Sequence, residues 1–229
     1  MRSISVFLVV LLCFAGIQSG AQTYDPALFN SLHWRMIGPF RGGRTVGACG
    51  VIQQPNVFYM GVNNGGVWKT DDFGRTWKPV FDANETGSVG DVEVAASNPD
   101  VVYVGSGEGI QRPDLSVGDG VYKSTDAGKT WTNMGLHDAQ QIGGIDIDPK
   151  DENRVFVAAL GHPYGPNKER GVYRTLDGGK TWKQVLYIDE NTGAIQVGID
   201  PKNPNVIYAD MWAGRQGPWE NGQWNGKES

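Results

Sequence analysis

"TLDGGKTW", residues 175–182, has two close copies earlier in the chain: "TDDFGRTW" at 70–77 and "STDAGKTW" at 124–131. Each follows the pattern Ser/Thr-x-Asp-x-Gly-x-Thr-Trp. The copies start 54 and then 51 residues apart, and what surrounds them repeats as well. A short strand precedes each box: "GGVWKT", "DGVYKS" and "RGVYRT". Further upstream stand "NVFYMG", "DVVYVG", "RVFVAA" and, a fourth time, "NVIYAD". Before these come the apolar, glycine-rich runs "TVGACGVIQQ", "VGDVEVAASNP", "IGGIDIDPKDE" and "IQVGIDPKNP". One unit is therefore four strands, A to D, in about 50 residues. Such units at a fixed period predict an all-β fold, a β-propeller of four-stranded blades.

The blades are expected at about 43–85, 86–140, 141–192 and 193–229, after a lead-in over 22–42. Three are complete. The fourth has strands A and B, and its box is expected near or just after Ser229, so the chain is expected to be part of a longer protein.

The box sits between strands C and D, and each of its residues suits a turn. Asp72, Asp126 and Asp177 can accept backbone N–H bonds there. Gly74, Gly128 and Gly179 permit positive φ. Thr76, Thr130 and Thr181 are expected to open strand D, and Trp77, Trp131 and Trp182 to pack within or between blades. The aspartates fall on successive blades, so they do not form the close carboxylate pair that glycoside chemistry requires.

The first 21 residues, "MRSISVFLVVLLCFAGIQSGA", read as a secretory signal: one early Arg, an apolar run, then small residues. Export to the periplasm, the cell surface or the medium is expected, with no membrane span. A net charge of −5 is a poor match for nucleic acid. Cys49 remains alone after removal of the leader and reads as a small buried hydrophobe in strand A. His33, His137 and His162 are scattered, without metal-ligand spacing, and nothing calls for a cofactor.

The boxes resemble the Asp-box (BNR) repeat of sialidases, xyloglucanase-like glycoside hydrolases and sortilin-type receptors. The stretches "LHWRMIGPFRGGRT", "LGHPYGPNKERGVYRTLDGGKTW" and "DENTGAIQVGIDPKNPNVIYADMW" resemble large exported bacterial proteins with a sortilin-type N-terminal domain or glycosyl-hydrolase-like BNR repeats. The resemblance implies a many-bladed propeller but no settled activity. In xyloglucanase-like enzymes a catalytic Asp stands just before a Gly-Gly pair; here Asn63 takes that place in "GVNNGGVWK". In sialidases an arginine follows Phe or Tyr in an early motif. Phe40-Arg41 matches only its start, because Gly42-Gly43 follows.

With the boxes on one face, function is expected on the other, where the D–A and B–C connections are uneven. Candidate ligand-binding residues there are Arg41, Arg44, Asn63, Asn64, Glu108, Arg112, His162, Trp212 and Arg215, with Trp219, Glu220 and Trp224 beyond. Arginines can grip carboxylates, and tryptophans can stack on sugar rings or peptide side chains. Glu108 is the one weak catalytic candidate. The expected function is a ligand-binding or scaffold module for a peptide, a protein or a glycan. The alternative is a glycoside-hydrolase-like enzyme acting on a polysaccharide or sialoside.

Overall fold

The computed structural model describes residues 24–32, 43–109 and 115–214. In the N-terminal unit, which ends at Phe40, the described residues hold one short 3-10 helix, Pro26–Phe29, capped by the Asp25 side chain. The second unit, from Arg41, carries the strands.

The first sheet is β1 (Arg44–Val51), β2 (Gln54–Asn63), β3 (Gly66–Thr70) and β4 (Lys78–Pro79). The second is β5 (Val89–Val94), β6 (Val102–Ser106), β7 (Val121–Ser124) and β8 (Thr132–Asn133). The third is β9 (Ile142–Asp148), β10 (Asp151–Ala159), β11 (Gly171–Thr175) and β12 (Lys183–Leu186). The strands β13 (Gly193–Ile199) and β14 (Ile207–Trp212) make a two-stranded sheet. Every sheet is an antiparallel meander in chain order. Among the described residues the fold is an all-β propeller with three four-stranded blades and part of a fourth.

The core lies between blades. Val57, Tyr59 and Phe81 of the first blade pack on Val92, Val104 and Tyr122 of the second. Tyr103 and Val121 pack on Ile145, Val157 and Tyr173 of the third. Phe156, Ala158 and Val172 pack on Ala194, Val197 and Ile199. This explains the near-continuous apolar strands: both faces of a middle blade are covered. The inner strands meet so closely that a Cβ on Gly90 would strike Ile142 O, and one on Gly143 would strike Ile195 O.

The inner strands are also joined by carboxylates. Asp91 on β5 accepts from the Ile145 backbone N–H of the next blade (2.9 Å), and Asp146 on β9 accepts from Ile199 N–H (2.6 Å). Burial lifts Asp91 to about 6. Burial, then the neighbouring Asp91 charge, lifts Glu93 to about 7. The same burial also pushes the Cys49 thiol up, although its side chain is only half-buried.

The three boxes are built alike. Asp72, Asp126 and Asp177 each accept the backbone N–H of the box Thr at 2.9 Å and its hydroxyl at 2.7 Å. The opening Thr70, Ser124 or Thr175 hydroxyl donates to the same carboxylate and accepts from the box glycine N–H. These bonds, led by the Thr hydroxyl, hold all three carboxyls at about 2. Gly74, Gly128 and Gly179 sit at φ 82°, 83° and 94°, so glycine is required. The threonines do not open strand D, as the sequence suggested. They close the turn, and the strands begin later, at Lys78, Thr132 and Lys183.

Candidate functional site

The B–C connections of the first two blades meet at the end of the sheets away from the boxes. Arg44 opens β1 directly opposite Asn63, the last residue of β2. The chain then turns through Asn64, exposed at φ 55°, and Gly66 N–H donates to Gly87 O at 2.8 Å, which seats the β4–β5 connection against this turn. Next to Gly87, the Ser88 carbonyl accepts from Gly107 N–H at 3.0 Å, so the β6 exit lies alongside. Glu108 follows, its backbone N–H held by the Gln141 side chain. Its carboxylate is wholly buried and meets Arg44 Nη2 at 3.5 Å, across the blade boundary. The path closes on itself: Asn63, Gly87–Ser88, Gly107–Glu108, Arg44, Asn63.

Two members of this ring are under-satisfied. Asn63 is only 4% exposed, and neither its Nδ2 nor its Oδ1 finds a hydrogen-bond partner among the described residues. Ser88 Oγ, also buried, finds none either. A buried polar group left unpaired costs about 1–3 kcal/mol, so folded chains seldom retain one without a use. Beside them stand a half-exposed guanidinium and a buried carboxylate. Together they offer an amide donor and acceptor, a hydroxyl, a cation and an anion. Polyhydroxyl ligands present just such mixed donors and acceptors.

The third blade uses the same connection differently. Arg170 is wholly buried and donates to Leu160 O at 2.6 Å, His162 O at 2.5 Å and Gly165 O at 3.2 Å. It also reaches Gly214 O at 3.4 Å, tying this loop to the chain after β14. His162 Nε2 pairs with Asp138 Oδ1 at 2.9 Å, and Asn167 holds the same aspartate. The geometry makes this loop a clamp, and His162 is part of it. Trp212 ends β14 opposite Gly193. Of the other candidates, Arg41, Arg112, Arg215, Trp219, Glu220 and Trp224 lie outside the described residues.

So Arg44, Asn63, Asn64 and Glu108 come together, while His162 and Trp212 belong to other blades. Glu108, the weak catalytic candidate, is a buried acid with an arginine partner 64 residues away. Ser88 was missed, and its one signal was its place at the head of an A strand. Asp91, Glu93 and Asp146 were missed too, although "GDVEV" and "GIDID" set acids in otherwise apolar strands. Among the described residues no group of three His, Cys, Asp or Glu could hold a metal, and no helix is long and apolar enough to cross a membrane.

A propeller bearing a polar, partly unsatisfied cluster on one face is the class defined so far. No family model matches the chain. It is similar to a probable oligoxyloglucan-reducing end-specific xyloglucanase of Neosartorya fischeri, 27% identical over 139 residues. That match spans 56% of this chain and 15% of the relative. The oligoxyloglucan-reducing end-specific xyloglucanase of Emericella nidulans is 30% identical over 109 residues, 45% of this chain and 13% of the relative. Among solved structures, an ancestral GH74 enzyme superposes with a TM-score of 0.57 at 22% identity, over 77% of this chain and 23% of that one. The chain thus matches a small part of much longer proteins, and the structural likeness is one of propeller fold.

Proposed function

We propose that this chain belongs to an exported, Asp-box, glycoside-hydrolase-like propeller that holds a glycan against the Arg44–Asn63–Ser88–Glu108 cluster. The observation that carries this is the buried Asn63 amide, without a partner among the described residues, beside the Arg44–Glu108 pair. A sugar ring can satisfy the amide through adjacent hydroxyls, which both donate and accept, while the half-exposed Arg44 guanidinium, positioned by the buried Glu108, donates to a further hydroxyl. Both curated relatives are named for acting on xyloglucan, which favours a glycan over a peptide or a scaffold role.

Hydrolysis is the second reading, and the same relatives favour it. Asn63 stands where the resemblance places an acid, and a neutral amide is neither general base nor nucleophile. Glu108 is then the acid to test. Titration of the chain with xyloglucan oligosaccharides, against Arg44→Ala, tests binding. Saturable binding that falls about tenfold or more in the variant supports the proposal; equal binding by both overturns it. Reducing ends released by wild type and not by Glu108→Gln would move the protein from binder to hydrolase.

A further inference from the structure

The first two blade interfaces follow one plan at the box rim. Between the first and second blades, Ala127 N–H donates to Asp100 O at 2.9 Å and Lys69 Nζ to Ala127 O at 2.9 Å. Between the second and third, Gly178 N–H donates to Asn153 O at 3.0 Å and Lys123 Nζ to Gly178 O at 3.2 Å. Lys69 pairs across its strands with Lys78, and Lys123 with Thr132. The box offsets complete the correspondence: Asp71 with Thr125, Asp126 with Asp177, and Lys129 with Lys180.

The two interfaces differ in charge. At the first, Lys69, Lys78 and Lys129 are matched by Asp71, Asp100 and Asp126. At the second, a cavity of about 350 Å³ is lined by Lys123, Thr125, Thr132, Asn153, Gly178 and Lys180 among others. Threonine and asparagine replace two of the acids there, and Asp177 is the one acid in the lining. Its carboxylate is already engaged by the Thr175 hydroxyl at 2.7 Å and by Thr181. Glu152, nearby, takes the Ser97 hydroxyl at 3.0 Å. Burial lowers the Lys123 pKa and the Lys180 charge pushes the same way, against Glu152 and Asp177. Gly178 keeps the space open, because a Cβ there would come within 2.5 Å of Lys123 Nζ and 2.7 Å of Asn153 Oδ1. The turn itself accepts a side chain: Phe73 and Ala127 hold the same place in the other boxes at φ 62° and 59°.

We propose that this rim groove binds an anionic sugar, a hexuronate, at a site separate from the Arg44 face. The sugar carboxylate lies between the Lys123 and Lys180 ammonium groups and accepts from the Asn153 amide. Lysine suits such a compact anion, since each ammonium is a point charge with three donors. Among the described residues Lys123 Nζ makes one hydrogen bond, to Gly178 O, which leaves N–H donors for a ligand. The exposed Thr125 and Thr132 hydroxyls both donate and accept, and meet the ring hydroxyls. Size argues for a sugar over a bare ion, which would leave most of about 350 Å³ unfilled.

The test titrates the 229-residue chain with galacturonic acid, with galactose and acetate as controls, and follows the backbone amide chemical shifts. Saturable shifts centred on Thr125, Thr132, Gly178 and Lys180 are expected with galacturonate, and binding about tenfold weaker with either control. Lys180→Gln, at an exposed position, weakens galacturonate several-fold. Gly178→Ala crowds Lys123 Nζ and acts in the same direction. Asn153→Asp restores the acid that Asp100 supplies at the first interface and weakens binding about tenfold or more. The fold survives this change, because the backbone carbonyl of residue 153 still receives Gly178 N–H. Absence of saturable shifts in this groove overturns the proposal. So does galactose or acetate binding as tightly as galacturonate, or galacturonate binding that Asn153→Asp leaves unchanged.

Discussion

The box rim and the loop face are two ends of the same strands and follow opposite rules. At the rim, three turns repeat one hydrogen-bond set: Thr hydroxyl to Asp at 2.7 Å in every copy. At the other end, three B–C connections do three things. The first leaves Asn63 buried and unpartnered among the described residues, the second buries Glu108 against Arg44, and the third locks Arg170 onto carbonyls. Repetition at the rim fixes turns and blade contacts. Divergence at the loops is where a shared scaffold can acquire a ligand. The loop face is not uniform, however: its third connection is as structural as any box.

That contrast can be broken most forcefully at Arg170. Arg170→Ala should cost about 3–4 kcal/mol in urea unfolding, because it leaves several buried carbonyls unpaired. A small loss, with weakened glycan binding instead, would make Arg170 a ligand residue. At the rim, Trp131→Ala removes the Val80 bond and the edge contact with Phe81, whose centroid is 5.3 Å away. It should cost about 2–3 kcal/mol and leave glycan affinity unchanged.

A smaller effect separates the two acid populations by pH. Asp91 and Glu93 titrate near 6 and near 7 in the folded chain, above their unfolded values of about 4. The stability they favour is complete below about pH 4 and is lost as pH rises through 6 and 7. The box aspartates, held at about 2, contribute above about pH 4 and lose it as pH falls toward 2. The thermal midpoint should peak near pH 4–5, and Asp91→Asn should flatten its fall toward neutral pH. A midpoint that rises steadily from pH 4 to 8 would refute the raised Asp91 and Glu93 carboxyls.

The propeller was legible because its signals are local and repeated: the box spacing, the strand runs and the glycine that a left-handed turn demands. Even the role of Asp126 could be read from its offsets to Gly128 and Thr130, although the hydroxyl bonds it collects were not anticipated. The site was legible only in part. Its face followed from the position of the boxes, and Arg44, Asn63 and Glu108 were candidates on residue type. What joins them is contact between blades. The Arg44–Glu108 pair spans 64 residues, and Trp131 reaches a carbonyl 51 residues back. No local pattern encodes such pairings. For the same reason nothing local marks Arg170 as the best-buried cation among the described residues.

The most direct test of the central claim is Asn63→Ala, followed by xyloglucan-oligosaccharide titration and urea unfolding on the same preparation. Removing a ligand-binding amide that finds no partner among the described residues should weaken binding about tenfold and raise stability by up to about 1 kcal/mol. Unchanged binding together with lost stability would contradict it, and would return this face to structure alone.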